Sequence, residues 1–186
     1  SGILARELRS EGEGSGRVVR AFLGGVTKHG DICRFDTVEE LCPRVYALCD
    51  SAGLGNEMLQ TIAQAAQEKR FDVIICPNPD RPEECQHVLI PERGLAFVTT
   101  NARMLYKGKP YRRLRLDAMA EERLTQAQKA KLRFIRRVET SLLEEAVRTL
   151  TDAANAHDTL EAVYRPCIDF SGVTALAEEE IARLIK

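Results

Sequence analysis

The chain has 186 residues, with 27 Lys and Arg against 28 Asp and Glu and a net charge of −1. That balance excludes a uniformly basic nucleic-acid coat and an acidic solvating tail, while 44% hydrophobic residues suffice for a real core. No apolar run approaches the roughly 18 residues of a membrane span, and residues 1–16 are polar and charged, unlike a signal peptide. The expectation is a soluble, cytoplasmic domain with no membrane partner and, with no Trp, a mainly aliphatic core.

Residues 1–16 hold three glycines and two glutamates between positions 10 and 16. They read as a linker or appended end with weak helical character over 3–8, which leaves 17–186 as the domain. Residues 18–26 are strand-like and broken at Gly24-Gly25, residues 27–30 form a turn, and residues 37–41 a short helix. Arg44-Val45-Tyr46-Ala47-Leu48-Cys49 is a nearly continuous apolar run, as expected of a strand buried on both faces of a parallel sheet. A small-residue loop, Asp50 to Gly55, leads into a helix over 56–70 with Met58, Leu59, Ile62, Ala65 and Ala66 at helical spacing.

A second buried strand is predicted at 71–76, a proline-rich loop at 77–82, a connection over 83–93 and a third strand at 94–100. This alternation is the signature of an α/β fold with a mostly parallel sheet and flanking helices. Residues 116–165 contain no Gly or Pro. Ile135, Val138, Leu142, Ala146, Leu150, Ala153, His157, Leu160 and Tyr164 recur at steps of three or four. The spacing predicts a long helical C-terminal section, with a break near 122–125 and a stop at Pro166. Ser171 is the expected cap of a last amphipathic helix carrying Val173, Leu176, Ala177, Ile181 and Leu184.

The loop after the first buried strand is where α/β proteins bind phosphate. A Walker A loop, G-x-x-x-x-G-K-[ST], uses glycines to curl backbone N–H groups round the phosphates, Lys to neutralise them and Ser or Thr to ligate Mg²⁺. Laid on Asp50, Ser51, Ala52, Gly53, Leu54, Gly55, Asn56 and Glu57, the pattern keeps Gly53 and Gly55 but puts Asn56 at the Lys position and Glu57 at the Ser/Thr position. One cation is lost and two carboxylates, Asp50 and Glu57, are gained where a triphosphate would sit. The helix N-terminus favours Glu57, whose carboxylate is expected to stand in for the missing anion. These eight positions are the candidate, degenerate phosphate loop.

Phe22-Leu23-Gly24-Gly25-Val26-Thr27-Lys28-His29-Gly30, the strand 44–48, Phe71-Asp72-Val73, Cys76-Pro77-Asn78-Pro79-Asp80 and His87-Val88-Leu89-Ile90-Pro91-Glu92 occur in an order and spacing that resemble a bacterial family of uncharacterised ATP-binding proteins. The run from Ala156-His157-Asp158 to Asp169-Phe170 resembles that family's ending. Its members look like two P-loop NTPase domains in tandem, typically with an intact G-x-x-G-x-G-K-S/T loop. The resemblance implies a P-loop NTPase-like fold and a place as the second half of a longer chain. Residues 1–16 would then be the inter-domain linker, an adjoining P-loop domain the partner, and Mg-ATP the family's ligand. Gly53 and Gly55 carry over; Asn56 and Glu57 do not. The acidic Walker B residue is missing too, because the third strand ends Val98-Thr99-Thr100-Asn101.

Charge is uneven. Residues 103–137 hold 12 basic and 3 acidic residues, a local +9, and residues 139–186 hold 4 basic and 10 acidic, a local −6. Arg103, Lys107, Lys109, Arg112, Arg113 and Arg115, interleaved with Tyr106 and Tyr111, form a patch that suits phosphate or a nucleic-acid strand, or else a solvated face. Arg112 and Arg113 are the candidate phosphate contacts. The six cysteines contain no C-x-x-C and read as reduced structural thiols. Cys85 with His87 has the residue types of a nucleophile–base pair, but structural roles are expected for both, and for His157.

The sequence therefore predicts a degenerate P-loop NTPase-like domain that does not hydrolyse ATP, has no catalytic or metal-binding residues of its own, and acts as structural or regulatory partner of an active ATP-binding half. The alternatives are an ATPase or phosphotransferase using a non-standard loop, and a nucleic-acid-binding module using the basic patch.

Overall fold

The computed structural model describes residues 2–9, 11–122 and 124–185; Ser1 and Ser10 of the expected linker, Arg123 and Lys186 lie outside them. In chain order the elements are α1 (Gly2–Glu7), β1 (Val18–Arg20), β2 (Gly24–Thr27), β3 (Gly30–Cys33), α2 (Phe35–Leu41), β4 (Arg44–Cys49), α3 (Asn56–Glu68), β5 (Val73–Asn78), β6 (Arg81–Ile90), β7 (Leu95–Thr100), β8 (Arg112–Arg115), α4 (Leu116–Glu121), α5 (Gln126–Tyr164) and α6 (Phe170–Leu184).

Six strands form one sheet in the order β1-β5-β6-β7-β4-β8. β6 runs antiparallel to both of its neighbours, and the other five strands share one direction. β2 and β3 form a separate hairpin whose turn ends at Gly30, with φ +106.

The sheet is mixed α/β and covered on both faces, for reasons visible in the side-chain alternation. Tyr46 and Leu48 of β4, Val88 and Ile90 of β6 and Leu95 and Phe97 of β7 pack with Leu59, Ile62, Ala63 and Ala66 of α3. The intervening Val45, Ala47, Leu89, Ala96 and Val98 pack on the other face with Val38 and Cys42 at α2 and with Tyr106. At roughly 25 cal/mol per Å² of apolar surface, each fully buried Val, Leu, Ile or Phe among these contributes about 1.5–3 kcal/mol.

Several strands differ from the sequence reading. The expected strand over 18–26 breaks at 21–23 rather than at Gly24-Gly25, which instead open β2, and β3 falls where no element was expected. The region expected as a proline-rich loop and a connection holds β6, which pairs with β5 through a tight turn at Pro79-Asp80. Register shifts at Cys76/Pro77 and Pro77/Asn78 let the prolines stay at the irregular end of the ladder, where lost N–H donors do least harm. The basic stretch supplies β8, which zips onto the free edge of β4.

The segment expected as a linker carries α1. Leu8 is buried in the α3-side core, and the Glu7 carboxylate accepts the Tyr46 hydroxyl at 2.6 Å and lies 2.9 Å from Arg44.

The expected helix break falls between α4 and α5. There Thr125 and Gln128 form a reciprocal capping box, the Thr125 side chain accepting the Gln128 amide. α6 is capped by Asp169, which accepts the Ser171 amide, rather than by Ser171: an Asp one residue before the first helical position reaches that amide directly.

The apolar stripe of α5 does not enter the core. α5 has no buried residue, and His157, expected inside, is exposed. Periodicity reveals an amphipathic face but not what covers it. Among the described residues no helix is long and apolar enough to cross a membrane.

Candidate functional site

β4, β5 and β7 end at one edge of the sheet. From β4 the chain passes to α3 on one face. From β7 it passes to Tyr106 on the other. Neighbouring strands whose connections diverge to opposite faces open a crevice beyond their carboxyl ends. Here that crevice is a cleft of about 430 Å³, floored by the 50–56 loop, Thr99 and Asn101, and walled by the β2–β3 hairpin, the β5–β6 turn and α5.

The loop has the curled form expected of a phosphate cradle, with Gly53 at φ +72. Four of its amides are already taken by protein carboxylates. Asp50 is 3% exposed; its Oδ1 accepts the backbone N–H groups of Ala52 (3.1 Å) and Leu54 (3.0 Å), and its Oδ2 accepts that of Gly55 (2.7 Å). Asp117 of α4 accepts both the amide (2.8 Å) and the hydroxyl (2.9 Å) of Ser51.

The carboxylate that fills the cradle is thus Asp50, not Glu57 as expected. Glu57 is exposed on the first turn of α3, whereas Asp50 directly follows the buried strand β4 and its carboxylate lies inside the curl. Asn56, at the Lys position, turns to β6, where its Oδ1 accepts the Cys85 amide at 2.8 Å. It ties the loop to the sheet.

Arg112 and Arg113 are not brought to the loop. They pair in register with Tyr46 and Ala47, well short of the end of β4, and neither lines the cleft. Tyr106, proposed as a stacking platform, is buried and donates its hydroxyl to Glu39 at 2.8 Å.

The guanidinium that organises the cleft is Arg103. It holds Asp31 of β3 at 2.9 Å, Asp80 of the β5–β6 turn at 3.2 Å and Glu139 of α5 at 2.6 Å. A second arginine on α5, Arg136, lies 4.0 Å from Asp117. Sequence reasoning placed Arg103 in a surface patch and assigned nothing to Asp31, Asp80, Asp117 or Glu139. No spacing signal links positions so far apart.

His87 is fully buried. Its Nδ1 accepts the Thr99 amide at 3.2 Å, which leaves the proton on Nε2, 3.9 Å from Cys33 Sγ. Burial pushes the imidazole down to about 3 and the Cys33 thiol up to about 12, so neither is ionised near neutral pH. Cys85 is also pushed up by burial, to about 11, and its thiol donates to the His87 carbonyl. A thiolate nucleophile needs the opposite shifts. Among the described residues no cluster of three or more His, Cys, Asp or Glu side chains could hold a metal ion.

The cleft therefore offers one protonated thiol, Cys85, a loop with four of its amides held by carboxylates, and arginines already engaged by carboxylates; the buried His87 and Cys33 do not line it. Comparison with known proteins finds no matching family model, no matching curated protein and no matching solved structure.

Proposed function

We propose that this chain is a P-loop-like domain that has given up nucleotide hydrolysis and serves as a structural or regulatory partner of an active ATP-binding domain. The observation that carries this reading is the Asp50 carboxylate inside its own loop, accepting three of the amides that a phosphate would need. A triphosphate would have to expel that carboxylate or sit against it. Two like unit charges 4 Å apart repel by about 4 kcal/mol at an effective dielectric of 20. Asn56 supplies no compensating cation, and the acid residues lining the cleft outnumber its arginines.

The resemblance quoted from the sequence supplies the rest of the reading: a scaffold shared with ATP-binding relatives, with the ligand-binding chemistry replaced by internal hydrogen bonds. The test is a melting curve with and without millimolar Mg-ATP. The expected result is no shift for the natural chain and a rise of several degrees for a variant carrying Asp50→Gly, Asn56→Lys and Glu57→Ser, since a ligand at 100 times its Kd adds about 2.7 kcal/mol. A shift in the natural chain that Gly55→Val abolishes would overturn the reading in favour of a nucleotide-using enzyme.

A further inference from the structure

The accessible surface of the chain is 12612 Å². A compact monomer of 20.8 kDa exposes about 8,900 Å², so roughly 3,700 Å² is in excess. α5 and α6 contribute to it, since neither has a buried residue. α5 has 39 residues, about 58 Å of helix, and is tied to the body along one face only. Leu132 and Arg136 meet the cleft, and the Thr151 hydroxyl lies 3.2 Å from the Lys28 carbonyl. At 100° per residue, Val138, Leu142 and Leu160 lie about 100–140° round from that face, and all three are exposed; Ile135 borders the cleft and Leu150 lies above Leu132. Every described residue of α6 is exposed as well, including Phe170, Val173, Leu176 and Ile181. Isolated exposed apolar residues are ordinary; Val138, Leu142 and Leu160 on one side of α5, together with the wholly exposed α6, mark an interaction surface.

The charges on α5 identify the partner. Its first third, positions 126–138, carries Lys129, Lys131, Arg133, Arg136 and Arg137 with no acid, a local +5. The remainder, 139–164, carries six acids and one Arg, a local −5. Such a helix is complementary to itself reversed. Laid antiparallel on a second α5, each basic end faces an acidic end; laid parallel, like charges face like along the whole length. An anionic membrane surface would attract one end and repel the other.

We propose that the α5 apolar stripe, continued by α6, is the interface of an antiparallel homodimer of this chain. Obligate homodimers bury about 2,000–5,000 Å² in total, or about 1,000–2,500 Å² from each chain. The excess surface covers that requirement. The dimer does not depend on the chemistry of the 50–55 loop.

Sedimentation equilibrium on the whole chain at about 10–100 µM tests this (a range in which an interface of this size is populated). The expected mass is twice 20.8 kDa; a monomer throughout overturns the proposal, including one that binds anionic vesicles or an added partner domain instead. Leu142→Glu with Leu160→Glu should give a monomer of unchanged helix content, because neither side chain is buried in the single chain; a persistent dimer would overturn the assigned interface. Lys131→Glu, Arg133→Glu and Arg137→Glu together should weaken self-association at least tenfold. Mixing that variant with Asp152→Lys, Asp158→Lys and Glu161→Lys should restore association as a heterodimer; failure to do so overturns the charge argument. Orientation is read by spin labels in a Cys49→Ser, Cys167→Ser background. Labels at Glu145→Cys, the midpoint of α5, should lie close together, and labels at Lys129→Cys about 45 Å apart. Two short distances mean a parallel pair and overturn the proposal.

Discussion

The Asp50 carboxylate accepts the Gly55 amide at 2.7 Å, closing the loop between β4 and α3 on itself. A charge-assisted hydrogen bond contributes about 1.5–3 kcal/mol, and this carboxylate makes three of them. Asp50→Ala should therefore destabilise the domain by about 2–4 kcal/mol, with Asp50→Asn between the two, measured by urea unfolding. Gly55→Ala should also cost about 1–2 kcal/mol, because an added Cβ would lie 3.0 Å from Asp50 Oδ2 and 3.4 Å from Leu48. An Asp50→Ala variant as stable as the natural chain would mean that the loop does not need its internal anion.

Arg103 joins three elements that are remote in sequence, and its side chain is 25% exposed. Its replacement by Met leaves Asp31, Asp80 and Glu139 facing one another. Partial exposure discounts the loss to about 1–2 kcal/mol. The sharper readout is hydrogen exchange: amides of the β2–β3 hairpin and the first turns of α5 should exchange faster, while those of β4, β6 and β7 stay protected. Uniform exchange behaviour would mean that α5 is held over the cleft by other contacts.

The buried His87 makes the domain acid-labile before its carboxylates titrate. Burial lowers its folded-state value from 6.5 to about 3. Between those values the unfolded chain binds a proton that the folded chain refuses, so stability falls as pH falls, by about 1.4 kcal/mol per pH unit. From pH 6.5 to 5 the loss should approach 2 kcal/mol, seen as a falling Tm. His87→Gln, which retains an acceptor for the Thr99 amide, should remove the slope in that window. An unchanged slope would assign the acid sensitivity to other groups.

Glu7 sets a second, lower window. Its burial raises the carboxyl, but the Tyr46 hydroxyl and the Arg6 and Arg44 guanidiniums outweigh that and hold it below the usual value of 4.5. The stabilisation is complete above that value and is lost as pH falls through the lower folded one. Glu7→Gln should flatten the melting profile below pH 4.5 without affecting the slope between 5 and 6.5, which belongs to His87. It should also loosen α1, read as faster exchange at Leu8.

Thiol labelling gives a direct check on the cysteine environments. Cys33 and Cys76 are pushed up to about 12 and Cys42 and Cys85 to about 11, all chiefly by burial, whereas Cys167 is exposed. A disulfide-exchange reagent added to the folded chain should label Cys167 fast, Cys49 more slowly and the other four only on unfolding. Cys167→Ser should remove the fast phase. Rapid labelling of Cys33 would contradict the reading of its pairing with His87 as structural.

Much was fixed by local pattern. The apolar run at 44–49 is a strand because it fills both faces of a parallel sheet, α3 follows because its apolar positions repeat at helical spacing, and the break before α5 sits where Thr125 and Gln128 can cap it. The loop between β4 and α3, with its missing cation and extra carboxylates, was equally legible. Three-dimensional packing decided the rest. Which carboxylate enters the cradle depends on how the loop curls, and that selects Asp50 over Glu57. β6 was hidden because its two faces are buried by partners remote in sequence and its start is dressed with prolines and glutamates. The convergence of Asp31, Asp80 and Glu139 on Arg103 exists only once the hairpin, a turn and a helix meet over one sheet edge. The stripe on α5 marks the limit from the other side. Its period shows an amphipathic face, but the fold of a single chain leaves most of it bare, since an amphipathic helix specifies a face and only a neighbouring surface specifies what fills it.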